Sequence, residues 1–225
     1  MSKTWTAFLV VGLTLAAQAQ LPDAPSSTAA NTHKKVVQQG VGPYLGSLDA
    51  AGSYEPFTVH QKFGFAAMNS FGPVVYPEVA LIAGINQASN QQPSWGQGGE
   101  GFAKRYGAAF ADQAINTMLS QAVLTSIFKQ DPRYFRLGHG GFGKRVGYSI
   151  SRLWITRSDS GRNTFNASAI LGAGATAGIS RIYYPDVDRT AGQAMYVWGT
   201  QLATDVGWNA LYEFWPDIRH AVFRK

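Results

Sequence analysis

The strongest periodic signal runs from Gly101 to Gln130. Phe110, Ala111, Ala114, Ile115, Met118, Leu119 and Ala122 share one helical face, and Asp112, Gln113, Asn116, Thr117, Ser120 and Gln121 share the other. The spacing predicts an amphipathic helix ending near Asp131-Pro132, because proline disfavours the α region for the residue before it. A second long helix is predicted from Thr190 to Phe214, stopping before Pro216, with Ala194, Met195, Trp198, Leu202, Val206 and Ala210 opposed to Gln201, Thr204, Asp205, Asn209 and Glu213. In both helices the charged stripe reads as the wet side. Shorter helices are expected over Thr58 to Ser70, Pro77 to Ala88, Lys144 to Thr156 and Thr164 to Tyr183. They are separated by the loops Gln91 to Gly101 and Gly138 to Gly143 and by turns at Arg157 to Asn163 and Pro185 to Arg189. Short connections favour antiparallel neighbours, so the predicted fold is all-α, a bundle of five to six helices.

Two rival architectures use the same residues. The 25 glycines, the 13% aromatic content and the stretch Val146 to Trp154 also read at period 2, as in an outer-membrane β-barrel. The uncharged segment Asn163 to Ser180, with Gly174 and Gly178 four residues apart, would let two helices approach closely in lipid. Its Ala, Gly, Ser and Thr content gives little apolar driving force, and a tight crossing inside the bundle is the reading preferred here.

The front of the chain adds an address. Lys3, the apolar run Trp5 to Ala16 and the small residues of Ala17-Gln18-Ala19 form the three regions of a secretory signal peptide over residues 1–19. Residues 20–56 are small, polar and turn-forming and read as a flexible linker, leaving 57–225 as the helical domain. The expected location is therefore exported: periplasm, outer membrane or extracellular. The chain has no cysteine, which excludes disulfides, thiol catalysis and Cys-ligated metal.

Charge narrows the partners. Between Lys129 and Arg162 eight basic residues stand against two acidic ones, matching the +6 net charge of the whole chain. For an exported protein this implies an anionic envelope lipid or cell-wall polymer, with peripheral membrane contact and no nucleic acid. Gly138-His-Gly-Gly-Phe-Gly143-Lys144-Arg145 matches both a phosphate-binding loop and a dinucleotide fingerprint, but Arg145 stands where a hydroxyl must ligate Mg²⁺ and no buried strand is predicted before it. A more general anion site is predicted instead. The N–H groups of Gly140, Gly141 and Gly143 and the positive helix end meet Lys144 and Arg145, with Arg133, Arg136 and Arg152 able to join. A surface loop with solvated charges is the competing reading.

Asp112, Asp205 and Glu213 are the candidate catalytic carboxylates, since facing stripes would bring two of them together for acid and base work. The four histidines are scattered at no metal-ligand spacing, so no metal is expected, and no cofactor motif survives. Ser149 lacks the second glycine of a nucleophile elbow, and Asp159-Ser160-Gly161 occurs once, as a turn. Aromatics sit beside proline in Asp131-Pro-Arg-Tyr-Phe-Arg136, Tyr183-Tyr184-Pro185 and Glu213-Phe-Trp-Pro-Asp-Ile218, where they can staple helix ends.

The first and last of those segments, with Ser158-Asp-Ser-Gly161, resemble a group of uncharacterised bacterial exported proteins. The resemblance spans the chain from about residue 57 onward, implies an envelope protein, and transfers no functional residue. The expectation is a non-enzymatic helical module binding an anionic membrane or cell-wall surface. The alternative is a hydrolase or transferase acting on an envelope lipid or glycan through the three carboxylates.

Overall fold

The computed structural model describes Leu48–Asp49 and residues 54–223. Along the chain run β1 (Leu48–Asp49), α1 (Val59–Phe71), α2 (Val75–Ala88), α3 (Gly98–Met118), α4 (Leu124–Ile127), β2 (Phe135–Arg136), α5 (Phe142–Ser151), β3 (Ile155–Arg157), β4 (Asn163–Phe165), α6 (Ala167–Ile179) and α7 (Ala191–Phe223). The protein is an all-α bundle in which α2 and α1 pack on α3, α6 packs on α7, and α5 packs on α7. Strands β1 and β2 pair in parallel, and β3 and β4 form a hairpin with Ile155 opposite Phe165. This overturns the barrel alternative, because Val146 to Ser151 lies within α5 and pairs with no strand.

Local chemistry accounts for the element ends. Thr58 and Gln61 close a reciprocal capping box at the start of α1. A π-turn, Leu119–Val123, joins α3 to α4, so the predicted long helix is continuous but re-phased by an extra residue. The turn Gln91 to Gln97 wraps the Arg105 guanidinium, which is 1% exposed and donates to the carbonyls of Gln91, Gln92 and Gly96. Gly101 is needed there, since a Cβ would lie 2.5 Å from the Gly96 carbonyl oxygen.

Three expectations change. Helix α5 ends at Ser151, and the β-branched Ile155 and Thr156 enter the hairpin that the turn Ser158 to Arg162 closes. Helix α7 runs through Pro216, which removes one backbone bond; Arg145 donates to the Glu213 carbonyl and to Asp217, tying both sides of the proline together. The folded body also reaches back before residue 57. Leu48–Asp49 pairs with Phe135–Arg136, the Tyr54 hydroxyl donates to the Ser158 carbonyl, and Arg133 donates to the Glu55 carbonyl. The proposed signal peptide and the linker up to residue 47 lie outside the described residues.

The largest departure is polarity. The biggest fully enclosed side chains are Arg105, Lys62, Gln92, Glu213, Val79 and Thr125, of which only Val79 is apolar. On α3 the buried positions include Asp112, Asn116 and Thr117, the stripe expected to be wet. Helix α6 buries Ser168, Gly172, Ala173, Thr176 and Ala177, with Ser180 buried just past its end, while Leu171, Ala175 and Ile179 face outward. The close helix approach occurs at Gly172, where a Cβ would lie 2.8 Å from the Ser120 Cβ, and not at Gly174 and Gly178, which are exposed. Apolar packing is confined to small clusters, such as Ala108, Ala177, Tyr184 and Val197 against Trp95 and Trp198.

Candidate functional site

The entry to the glycine loop, Leu137 and Gly138 and not the expected Gly140, Gly141 and Gly143, organises an anion, and that anion is the protein's own Glu213. Its carboxylate, 0% exposed, accepts from Leu137 N and Gly138 N at 2.9 Å each, from the Tyr134 hydroxyl at 3.0 Å and from Arg145 Nε at 2.9 Å. Burial alone would raise the Glu213 carboxyl; Arg145, the two N–H groups and Tyr134 together hold it below its ordinary value. Arg145 also bonds Asp217 at 2.6 Å and lies 4.4 Å over the Phe214 ring. Sequence segments 131–136 and 213–218, about eighty residues apart, are thereby locked together.

A second charged knot lies beneath the hairpin. Arg133 forks onto Asp131 and covers the Phe57 ring at 4.0 Å. Lys62, 1% exposed, bonds Asp159 at 2.7 Å, and the Tyr54 hydroxyl donates to Asp131 at 3.1 Å. Asp159 in the Ser-Asp-Ser-Gly turn therefore serves as the counter-ion of a buried lysine. Arg152 lies 4.4 Å over the Tyr148 ring, with its Nε buried and unpartnered. Of the predicted anion-binding group, Gly140 and Gly141 are exposed in the loop, Gly143 lies in α5, Lys144 is exposed beside Gly140, and Arg136 is half-buried. The structure commits Arg133 and Arg145 to internal carboxylates, so these two cations are not offered to solvent.

The three candidate carboxylates do not share a site. Asp112 receives both the Tyr183 and Tyr184 hydroxyls, the latter at 2.7 Å, and burial, countered by those donors, pushes its carboxyl up to about 6. Glu213 is saturated as described. Asp205 alone opens onto a cavity of about 150 Å³ inside the bundle, and its companion there is Glu78 of α2, which the sequence did not single out.

Glu78 accepts from the Trp208 indole at 2.9 Å. Burial, opposed by that bond, raises it to about 7; burial first and the Glu78 charge second raise Asp205 to about 7. The remaining wall includes Gln113, Thr117, Asn209 and Tyr212, with the Trp208 and Tyr212 ring centroids 5.7 Å apart. Two carboxyls raised toward neutrality on the wall of one part-open cavity can exchange protons or hold a cation. The available clue was that Glu78 is the sole charge between Val74 and Ala88.

Among the described residues no three His, Asp or Glu side chains are grouped to hold a metal ion, and no helix is long and apolar enough to cross a membrane. The chain matches no protein-family profile, no curated protein and no solved structure.

Proposed function

We propose that the protein is an exported, non-enzymatic helical module that rests against an anionic lipid surface of the cell envelope. The observation that carries this reading is a set of exposed large apolar side chains and exposed cations on and around the β3–β4 hairpin. Trp154, Ile155 and Phe165 are exposed on the hairpin, with Ile155 and Phe165 directly opposite in register. Ile127, Phe128 and Lys129 are exposed next to the turn of the same hairpin, where Asp159 N donates to the Lys129 carbonyl and Gln130 bridges to Ser158. Arg162 is exposed in that turn, and Lys144 is exposed in the first turn of α5, at the end of the helix away from the hairpin. Aromatic rings with flanking cations suit the headgroup level of a bilayer, where each cation contributes about 1 kcal/mol against anionic lipid.

The inward turn of the polar side chains supports the same reading, since it leaves apolar residues outside where water alone would be an unfavourable neighbour. Export rests on the first nineteen residues and would be checked by the N-terminus of the native protein. The lipid reading is tested by vesicle flotation with phosphatidylglycerol-containing and purely zwitterionic vesicles. Binding is expected only to the former, falling with salt, and falling about 100-fold when Lys129, Lys144 and Arg162 are all changed to Gln, from about 1 kcal/mol each. Equal binding to both vesicles, or retention on cell-wall sacculi with none on vesicles, refutes it.

A further inference from the structure

We infer that the cavity between α2, α3 and α7 is a binding site for a small aliphatic amine, whose ammonium groups are taken by Asp205 and Glu78. Asp205 accepts no hydrogen bond from any described residue, is half-buried and lines the cavity. A carboxylate placed this way costs several kcal/mol unless a proton or a cation meets it. Glu78, only 9% exposed, uses one oxygen on Trp208 and leaves the other without a donor. Asn209, one helical turn from Asp205, lines the same wall and also makes no hydrogen bond with a described residue. Three polar groups thus converge on one space without satisfying each other.

The walls choose among cations. The Trp208 and Tyr212 rings, with Met68, Val74 and Val75, give apolar and aromatic surface, which favours an organic ammonium over a hydrated metal ion. The cavity is part-open and mixed polar and apolar, and its volume of about 150 Å³ is the space a guest of about six heavy atoms fills, the size of a four-carbon diamine.

The opposite end of the cavity carries Arg133, Arg152 and Arg157. Asp131 neutralises Arg133, Arg152 covers Tyr148 and reaches Asn163, and Arg157 covers the Phe135 ring at 4.1 Å. None of the three is among the groups that set the ionisation of Glu78 or Asp205. The wall formed by Asp205 and Glu78 therefore gains negative charge as the two carboxyls ionise above neutral pH. Tyr212 and Trp208 are the remaining groups facing it, and burial keeps the Tyr212 phenol protonated.

The test is calorimetric titration of the full mature chain with putrescine, with 1,4-butanediol as the neutral isostere and calcium as the inorganic cation. Putrescine is expected to bind at pH 8 and to lose at least tenfold in affinity at pH 5.5, where both carboxyls are protonated. Asp205→Asn keeps the shape and removes the charge, and should lose at least tenfold at pH 8 while its thermal unfolding stays as high as that of the parent. Equal binding of butanediol, binding of calcium without the amine, unchanged affinity in Asp205→Asn, or no binding of putrescine would each overturn the inference.

Discussion

Replacing Glu213 by Ala is the sharpest perturbation of this fold. The substitution strands the Leu137 and Gly138 N–H groups, the Tyr134 hydroxyl and the Arg145 guanidinium, all aimed at one enclosed carboxylate. Removing one partner of a buried ion pair costs about 3–5 kcal/mol, because the remaining charge stays desolvated. Arg145 escapes part of that cost through Asp217, which is largely exposed, so the expected loss is about 3 kcal/mol. For a domain of this size that is roughly 6–12 °C in Tm. Glu213→Gln preserves the shape and one acceptor oxygen but turns its amide toward donors, and should lose about 2 kcal/mol.

Urea unfolding followed by tryptophan fluorescence and by circular dichroism gives both values, with an unchanged m-value showing that compactness is retained. In the parent chain the Glu213 contribution is present above the ordinary carboxyl range. It is lost as pH falls through its depressed folded-state value, so the gap between parent and Glu213→Ala should close in acid. A loss below about 1 kcal/mol at pH 7, or a gap that widens in acid, would show that Glu213 is not the anchor between segments 131–136 and 213–218.

Other outcomes follow from the same interior. Asp205→Asn should stabilise the ligand-free protein with the opposite pH sense: the folded carboxyl sits at about 7, so the parent pays a growing penalty from about pH 4 to 7 and a constant one above. Three pKa units correspond to at most ~4 kcal/mol, and denaturation at pH 4 and pH 8 reads the difference; equal stability gains at both pH values would contradict it. Gly172→Val drives a side chain into Ser120 across the α3–α6 approach and should destabilise by about 1–3 kcal/mol by thermal melting. Gly178→Val, with no atom within 4 Å of its Cβ position, should not. Tyr184→Phe leaves one oxygen of Asp112 without its buried donor and should cost about 1–2 kcal/mol by the same assay.

The helices were legible because a two-sided pattern at period 3.6 survives whatever surrounds it. Which side faces inward was not. The stripe Asp112, Asn116 and Ser120 identifies a face, but its burial depends on partners far along the chain. The Tyr183 and Tyr184 hydroxyls that satisfy Asp112 lie 71 and 72 residues away. Glu213 shows the same gap at higher stakes: the sequence marked the glycine loop as anion-binding, yet the anion came from a helix that folds back onto it. Pro216 misled for a local reason, since the helix end it signals is overridden by Arg145 binding on both sides of it. Glu78 lies in the first turn of α2, and only the neighbouring Asp205, 127 residues along the chain, gives it chemistry.

The π-turn at Leu119–Val123 sets the phase of everything downstream. An added residue in one turn rotates the following chain by about 100° relative to an unbroken α-helix. Beyond that turn Thr125 points inward, where its carbonyl receives Lys62. Deleting one residue there would wind the rod back to a uniform pitch and swing the Asp131–Arg136 segment away from α7. A length change of one residue thus decides whether the two halves of the Glu213 lock can ever meet.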